Sequence, residues 1–343
     1  MGGDVAVVIV NWNGKEYLEP CLRAVLAQTY HKMEVVVVDN GSTDGSAELV
    51  VERFPQVRLI RSSTNLGFAA GCNLGVTAST SEYIATLNPD TRSEPEWLKS
   101  LVQGMETDRR IGMCASLMLR MDQPNVVDSA GIALDGLGIA WDRLGGQPAT
   151  EAAAAEAVFG PCAGAALYRR EMWDALGGFD EDFFMYLEDV DLAWRAQTHG
   201  WRCLYVPSAR VYHQHSAAAV EGSPFKNFLK ARNKIWLITK NYPYPQFLLW
   251  APLILLYDLM AVGVACFKGN FSALRGRLAA LCGLRRAIAK RQPVSPTETR
   301  GWVEVRRLIC GVQSPWLIWR RYAHLSQHAM GQVVRNRGPR PDR

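Results

Sequence analysis

Three acidic groups in this chain have types and positions that could do chemistry. Four valines at 35–38 lead into Asp39, and the apolar segment 83–87 leads into Asn88-Pro89-Asp90. A buried strand of an open α/β sheet that ends in an acid places that acid at the crevice where such folds bind phosphates and metal ions. The third group is Glu188-Asp189-Val190-Asp191. Together they predict a site for a nucleoside diphosphate and a divalent cation.

Asp39 and Asp90 could also have purely structural roles. Asp39 could cap the next helix, but residues 42–44 offer other caps, which leaves Asp39 for a ligand such as the N–H of a pyrimidine ring. Asn-Pro-Asp-Thr at 88–91 is good turn chemistry by itself. Because Asp90 follows a buried strand, we favour a carboxylate that shares Mg²⁺ or Mn²⁺ with a pyrophosphate.

The acids at 188–191 are the best candidates for proton transfer. Acids in the first turn of a helix are stabilised by the helix dipole by roughly 0.3–1 kcal/mol each, which explains one or two of them. It does not explain why the turn-rich segment 177–184, with its two glycines and its phenylalanines, leads directly into the helix. A carboxylate in a partly apolar pocket near other acids has a raised proton affinity, which suits a general base.

Two further segments are weaker candidates. His213 and His215 are two residues apart near a strand end and share a face if the strand continues, so one could be a metal ligand. A lone histidine is more often structural, and imidazole suits Mn²⁺ less well than carboxylate. Arg232-Asn233-Lys234 is either a solvated helix face or a basic patch near a pyrophosphate leaving group, and the sequence favours neither.

Alternating strands and helices must position these residues. The pattern predicts strands at 5–10, 34–38, 57–62, 83–87, 111–121, 159–168, 203–207 and 209–213, and helices at 16–29, 47–54, 65–73, 97–106, 170–176 and 188–199. The early alternation predicts an α/β fold with a mostly parallel, doubly wound sheet. We expect an irregular insertion at 122–148 and a mobile linker at 152–157.

Composition and charge favour a large globular domain with a basic appendage. The chain has 343 residues and eight cysteines without CxxC spacing, which is typical of reduced core thiols. Residues 1–267 carry 22 Lys and Arg against 30 Asp and Glu, whereas residues 268–343 carry 16 against 3. This asymmetry suggests an anionic partner. No segment resembles a nucleic-acid-binding module, so we expect a membrane surface rather than nucleic acid.

The apolar segment 247–267 precedes the basic region. It is long enough to span a bilayer, but it contains Pro252 and one charge, Asp258, at its centre. The basic residues that follow favour a segment that lies on an anionic leaflet or re-enters it. A buried core helix is the alternative. No basic leader precedes the first strand, so we expect no secretory signal and a cytoplasmic protein attached peripherally to the inner face of the cell membrane.

In this order the motifs resemble those of inverting glycosyltransferases of family 2 with a GT-A fold, in the bacterial rhamnosyltransferase-like branch. The resembling stretches are 8–14, 38–44, 65–69, 87–90 and 177–195, within residues 5–245. The resemblance implies a GT-A catalytic domain at 1–215. A helical extension at 216–245 would close the active site. The apolar and basic composition of 246–343, outside the resemblance, predicts a helical region that associates with the membrane.

The resemblance also implies roles for individual residues. Asp189 would be the general base with Glu188 beside it, and Asp90 and His213 would bind Mg²⁺ or Mn²⁺. Asn88 stands where many relatives have the first acid of Asp-x-Asp. The nucleotide sugar would contact Asn11, Asn13, Asp39, Asn40, Asn65, Gly67, Asn88 and Arg232, and the acceptor would contact Gly164, Asp180 and Asp191.

The resemblance implies an inverting transfer of a sugar from a nucleoside diphosphate to a lipid-linked or cell-surface polysaccharide acceptor. The donor it favours is dTDP-L-rhamnose, which would supply L-rhamnose. Two other hypotheses remain open at this point. A sugar nucleotidyltransferase would need a glycine-rich basic loop near the amino terminus, of which 11–15 is a poor version. A non-catalytic nucleotide-sugar-binding scaffold would not need the acidic helix start at 188–191.

Overall fold

The computed structural model, which describes residues 2–214, 223–267, 269–291 and 305–312, is built around a mixed sheet with helices on both faces. The first elements are β1 (Val5–Asn11), α1 (Lys15–Leu26), β2 (Met33–Asn40), α2 (Ser46–Arg53), β3 (Arg58–Ser62), α3 (Phe68–Thr77), β4 (Tyr83–Leu87), β5 (Thr91–Ser93), α4 (Trp97–Glu106) and β6 (Ile111–Arg120). The next are β7 (Val127–Ser129), β8 (Ile132–Asp135), β9 (Ala140–Asp142), β10 (Glu156–Val158), β11 (Ala165–Arg169), α5 (Arg170–Leu176), α6 (Glu188–Thr198) and β12 (Arg202–His213). The chain continues with α7 (Pro224–Asn241), α8 (Tyr244–Phe267), α9 (Ser272–Cys282), α10 (Leu284–Ala289) and β13 (Ile309–Cys310).

The main sheet has a parallel half and a mixed half. Its strand order is β10-β12-β6-β11-β4-β1-β2-β3. Strands β4, β1, β2 and β3 are parallel, as the early alternation predicts. Strand β11 runs antiparallel to both β4 and β6, whereas β12 is parallel to β6. The predicted α/β fold is therefore confirmed, and most of the parallel pairs join the amino-terminal strands β1 to β4.

Burial on both faces explains the apolar sequences of the central strands. Every residue of β1 is buried, which requires helices on each side of the sheet. Leu18 of α1 and Trp97 of α4 belong to the core on one face, and Cys72 of α3 and Trp194 of α6 belong to the core on the other. Helix α3 lies close to the sheet because its Gly75 has no side chain.

The structure corrects several element predictions. The expected irregular insertion at 122–148 contains β7, β8 and β9. The expected linker at 152–157 instead runs into β10, which pairs with β12. The two strands predicted at 203–213 form one strand, β12, with a register shift between Val206 and Arg210. Alanine-rich and glycine-rich composition misled here because pairing with a neighbouring strand, rather than local propensity, orders these short segments.

The carboxyl-terminal helices are only partly joined to the core. Helix α7 packs on α6 and α9, and the short strand β13 pairs in parallel with β8, so this part of the predicted helical region returns to the domain. Within α8, Phe247–Phe267 is long and apolar enough to cross a membrane, and only 6% of its most apolar window is buried. It is therefore not a core helix.

The central acid of α8 faces the protein. Asp258 lies 3.2 Å from Nζ of Lys234 on α7 and 2.6 Å from Nη2 of Arg277 on α9. All three side chains are largely buried, so the acid of this apolar helix is neutralised by cations from two neighbouring helices. The apolar surface of α8 is left on the opposite, exposed side.

Candidate active site

The carboxyl ends of β1, β2 and β4 form the floor of the candidate site. Asn11 of β1 is in register with Asp39 of β2. Asp39 is 5% exposed, and its Oδ1 is buried and accepts no hydrogen bond from the residues that the structure describes. A buried carboxylate oxygen without a donor is costly unless a ligand supplies one. Asp44 accepts hydrogen bonds from the Ser46 N–H and hydroxyl, so Asp44 and not Asp39 binds the start of α2. Contact of Asp39 with a nucleobase stays a prediction.

Two asparagines join the loops that follow β1 and β2. Asn11 donates from Nδ2 to the Ser46 hydroxyl at 2.9 Å, and Oδ1 of Asn13 accepts from the Thr43 N–H at 2.8 Å. Asn13 has a positive φ of 50°, a conformation that asparagine tolerates better than most residues. Both predicted nucleotide-sugar residues thus lie beside Asp39 and shape its surroundings.

Asn40, Asn65 and Gly67 build the next loop. Asn40 donates from Nδ2 to Asn65 Oδ1 at 3.0 Å and to the Gly67 carbonyl at 3.1 Å. Gly67 has a φ of 87°, and a Cβ there would lie 2.6 Å from Cδ2 of Phe184. Only glycine fits this contact. The loop beside Asp39 therefore touches the segment that leads to Asp189.

Asp90 and His213 meet because β5 pairs with the end of β12. His213 is in register with Thr91, and its Nε2 lies 3.4 Å from Asp90 Oδ1. Nδ1 of His213 lies 2.6 Å from Oδ2 of Asp128, on β7. Burial acts to lower the pKa of His213, but Asp90 and Asp128 outweigh it and raise the pKa well above its usual value. The predicted His215 lies outside the described residues.

Asp90 and His213 fit a divalent cation that also binds phosphate. Oδ1 of Asp90 is buried without a hydrogen-bond partner among the described residues. The same residues contain no group of three acidic, histidine or cysteine side chains that could hold a metal ion by themselves. Mg²⁺ commonly binds through one or two carboxylates together with substrate phosphates. Asp90 and His213 would therefore hold a cation, which would stabilise negative charge on the phosphate.

Asp189, at the start of α6, is connected to the strand ends through residues 163–164. Its Oδ2 accepts from the Ala163 N–H at 3.1 Å and its Oδ1 accepts from the Val190 N–H at 2.8 Å. The next carbonyl, of Gly164, accepts from the Asn88 N–H at 2.9 Å. Gly164 also packs on Asn88, since a Cβ would lie 3.1 Å from its Nδ2. One short segment therefore separates the candidate base from the residues before Asp90.

Burial gives Asp189 the proton affinity of a general base. Burial raises the pKa of Asp189 to about 6, with a smaller contribution from Asp142, while the N–H groups of Ala163 and Val190 oppose the rise. Glu188 is 4% exposed, and burial and Asp189 raise its pKa well above the usual value. A group with a pKa near 6 is ionised at neutral pH and still basic enough to take a proton.

Asp180 and Asp191 lie in an ion-pair network instead of an open cleft. Lys240 is 2.5 Å from Oδ2 of Asp180 and 2.9 Å from Oδ1 of Asp191, and Arg195 is 2.9 Å from Oδ2 of Asp191. Lys290 of the carboxyl-terminal region pairs with Oδ1 of Asp180 at 2.5 Å. Every carboxylate oxygen of both acids has a cation beside it. Both acids are therefore held in place by ion pairs, and their contact with the acceptor stays a prediction.

Arg232 does not lie at the strand ends. Its Nη2 donates to the carbonyls of Asp182 and Phe183 at 3.1 and 2.9 Å, and its guanidinium stacks on Trp236. It is thus occupied by the segment before α6, and the structure does not bring it to Asp39 or Asp90. Asn233 and Asp128 contact predicted site residues but were not predicted as site residues themselves. Asn233 lies in the tripeptide 232–234, whose role the sequence left open, and nothing in the sequence indicated Asp128.

Comparison with known proteins agrees with this fold. Residues 6–177 match the family model described as glycosyl transferase family 2. The chain is 32% identical over 245 residues to N-acetylglucosaminyl-diphospho-decaprenol L-rhamnosyltransferase of Mycobacterium tuberculosis, which covers 64% of this chain and 78% of the relative.

Solved structures show the same fold. A mannosyltransferase from Pyrobaculum calidifontis, in complex with GDP-Man and Mn²⁺, has a TM-score of 0.54 at 18% identity and covers 98% of this chain and 89% of its own. GalNAc-T7 with UDP, GalNAc and Mn²⁺ has a TM-score of 0.61 at 18% identity, with 86% and 59% covered. The sheet and the helices around it therefore form a GT-A fold. The chain belongs to glycosyl transferase family 2, and it is a glycosyltransferase.

Proposed function

We propose that the enzyme transfers L-rhamnose from dTDP-L-rhamnose to a lipid-linked acceptor with inversion, and that Asp189 is the general base. The observation that carries the mechanism is Asp189 itself. It is partly buried, burial raises its pKa to about 6, and the segment that holds it continues directly to Asn88. The donor and the acceptor class are supported by the Mycobacterium tuberculosis relative, whose name states an L-rhamnosyltransferase and a diphospho-decaprenol.

An inverting transfer is a single in-line displacement at the anomeric carbon. Asp189 accepts the proton of the acceptor hydroxyl as the new bond forms, and its two backbone hydrogen bonds hold the carboxylate in place. Asp39 accepts the ring N–H of the pyrimidine through its free Oδ1. Asp90 and His213 would hold the Mg²⁺ or Mn²⁺ ion, which stabilises negative charge on the departing diphosphate.

The substitution Asp189→Asn tests the base assignment. The amide has the same shape but cannot take a proton, so turnover should fall by roughly 10²–10⁴-fold. Binding of dTDP should stay within about twofold, because Asp39 and not Asp189 faces the nucleotide. Release of dTDP from dTDP-L-rhamnose with a lipid-linked acceptor measures the first quantity, and calorimetric titration with dTDP measures the second.

Glu171→Gln is the matched control, since Glu171 is an exposed acid on α5, on the protein surface. It should keep wild-type turnover. Near wild-type activity of Asp189→Asn would show that the base lies elsewhere. A thermal-shift comparison of dTDP, UDP and GDP sugars with Mn²⁺ tests the donor, and the largest stabilisation is expected with dTDP-L-rhamnose.

We further propose that α8 attaches the enzyme to the inner face of the cell membrane. Its exposed side chains include Leu249 at 75%, Leu259 at 61% and Phe267 at 94% exposure. Its acid, Asp258, is paired on the protein side with Lys234 and Arg277, so the exposed side carries no charge that would oppose contact with lipid. Such a helix lies along a bilayer surface, near the headgroups. A lipid-linked acceptor is presented at the same surface.

A further inference from the structure

The segment before α6 has an unusual backbone. Phe184, Tyr186 and Leu187 have φ values of 65°, 70° and 69°. Bulky residues with positive φ are uncommon, and each costs free energy that the surrounding structure must offset. Leu187 is followed at once by Glu188 and Asp189. The direction in which Asp189 leaves the helix start therefore depends on a backbone that local preference opposes.

One side chain of α7 holds this backbone. Asn233 is fully buried, and its Nδ2 donates to the carbonyls of Phe183, Met185 and Tyr186 at 2.9, 2.9 and 2.8 Å. The first two carbonyls flank Phe184, and the third belongs to Tyr186 and precedes Leu187, so each lies next to or on a residue with positive φ. Because a single amide group reaches all three, it fixes their relative directions as well as satisfying them.

Arg232 fixes the orientation of that amide. Its Nε donates to Asn233 Oδ1 at 2.9 Å, which leaves Nδ2 directed at the carbonyls. Its Nη2 donates to the carbonyls of Asp182 and Phe183, so the same guanidinium also holds the start of the segment. Arg232 and Asn233 together supply hydrogen bonds to the carbonyls of Asp182, Phe183, Met185 and Tyr186.

We infer that Asn233, oriented by Arg232, is a positioning residue for the general base: it holds the strained segment 183–187 in the one conformation that aims Asp189 at the acceptor. The inference rests on the proposed role of Asp189. It assigns the basic tripeptide 232–234 a role different from contact with the nucleotide. Neither residue touches the reacting atoms, so both act through the backbone before α6.

The substitution Asn233→Leu tests this inference. Leucine has nearly the shape of asparagine but no polar group. It therefore removes the hydrogen bonds to the three carbonyls and still fills the space of the side chain. The released segment should misplace Asp189, and kcat with dTDP-L-rhamnose should fall roughly 100-fold. KM for dTDP-L-rhamnose should change much less than kcat, because Asp39 itself lies on β2 and the segment meets its surroundings through Gly67.

The pH profile separates positioning from general stability. Asp189 is faced by Glu188, Asp142, Cys162 and Tyr168, which the substitution leaves unchanged. Burial is the main cause of its raised pKa, so a loosened segment admits water and lowers that pKa. The acidic limb of kcat/KM should therefore move to lower pH in Asn233→Leu. Amide hydrogen exchange of residues 183–190 should become faster, and this readout needs no substrate.

Gln197→Met is the matched control. Gln197 is a buried amide that donates to two carbonyls, of Val158 and Phe159, near the other end of α6. Its loss should lower the melting temperature and leave kcat and the acidic limb unchanged. If Asn233→Leu behaves like this control, the positioning role is wrong. In that case its kcat, the acidic limb of its kcat/KM profile and the amide exchange of residues 183–190 would all be unchanged.

A second variant decides the matter if Asn233→Leu does not fold. Arg232→Lys keeps the charge but loses the fork that reaches the amide and the carbonyls, so it should lower kcat and leave KM for dTDP-L-rhamnose unchanged. A raised KM with unchanged kcat would instead assign Arg232 to the nucleotide and overturn the inference. Full activity of Asp189→Asn would refute the proposed general base. Faster exchange at 183–190 in Asn233→Leu would in that case still show that Asn233 holds this segment.

Discussion

Asp128 contacts the predicted metal ligand His213 and could therefore influence the proposed cation site without binding the cation itself. It lies on β7, and its carboxylate is 2.6 Å from Nδ1 of His213. A histidine that binds a metal through one ring nitrogen usually has the other nitrogen held by a carboxylate or carbonyl, which fixes the ring. With Asp128 at Nδ1, the Nε2 of His213 faces Asp90. The pair that would bind the cation is thus oriented from a third strand.

Asp128→Asn should weaken binding of Mn²⁺ by roughly 10–100-fold, because the amide no longer supplies the charge and the fixed acceptor for His213. The free Mn²⁺ signal in electron paramagnetic resonance, recorded with dTDP present, measures this without turnover. Asp122→Asn, an exposed acid on the preceding turn, is the control and should bind as the wild type does. Equal affinity of both variants would remove Asp128 from the cation site.

The sequence was sufficient to predict the candidate residues at the strand ends, but not the residues that hydrogen-bond to the candidate site from other elements. Asp39 and Asp90 could be placed because parallel strands end at the same edge of a sheet. Asp128 could not, since nothing in a glycine-rich stretch shows that residues 127–129 pair with β6. Asn233 could not, because its three partners are backbone carbonyls, which every sequence has. The ion pairs of Asp180 and Asp191 could be predicted only in part, because Lys240 and Lys290, on α7 and after α10, are distant in sequence.

At the scale of elements, the approach of α3 to the sheet sets the position of the loop before it. Gly75 lies over Val8 and Val38, and a Cβ there would overlap Cγ1 of Val8 and lie 3.1 Å from Cγ2 of Val38. The amino-terminal end of the same helix begins after Gly67, which touches Phe184. The distance between α3 and the sheet therefore also sets where Gly67 meets the segment before α6.

Gly75→Ala should lower the free energy of unfolding by about 1–3 kcal/mol, because the added methyl group must push α3 away from the sheet. Gly263→Ala on α8 is the control, since a Cβ there has open space, and it should raise helix stability by at most about 1 kcal/mol. Urea unfolding followed by tryptophan fluorescence compares them. Equal midpoints in the two variants would mean that the helix adjusts freely.

The predictability of elements followed their length. Strand β4 and helices α4 and α5 begin and end at the predicted residues, because apolar periodicity and flanking turn residues define them locally. The short strands β7 to β10 were expected as insertion and linker, since three or four residues carry no period that can be recognised. Their order comes from partners such as β6 and β12.

At the scale of the whole molecule, the proposed membrane face and the active site belong to one body. Helix α9 packs on α7, and α7 holds the segment before Asp189 through Asn233. Arg286 and Lys290 of the carboxyl-terminal region pair with Asp182 in the same segment. Contact of α8 with a bilayer would therefore place the acceptor side of the site at a fixed height above the lipid.

The double substitution Leu249→Gln with Leu256→Gln should lower partitioning onto vesicles of phosphatidylglycerol by roughly 100-fold or more, since each leucine contributes about 1.5–3 kcal/mol when buried. Flotation of the full chain on a sucrose gradient measures it. Val51→Gln, an exposed apolar residue on α2, is the control and should float as the wild type does. A wild-type protein that stays at the bottom would refute attachment through α8.

The ion pairs of Asp258 also bear on how the chain is made. At the translocon, an aspartate at the centre of an apolar segment adds about 2.5–3.5 kcal/mol to the free energy of insertion. Lys234 has left the ribosome before Asp258, whereas Arg277 follows 19 residues later. During that interval the acid has one cation at most, and it opposes release of the segment into the bilayer as a spanning helix. A single side chain thus opposes a spanning α8 and favours the proposed attachment at the membrane surface after synthesis.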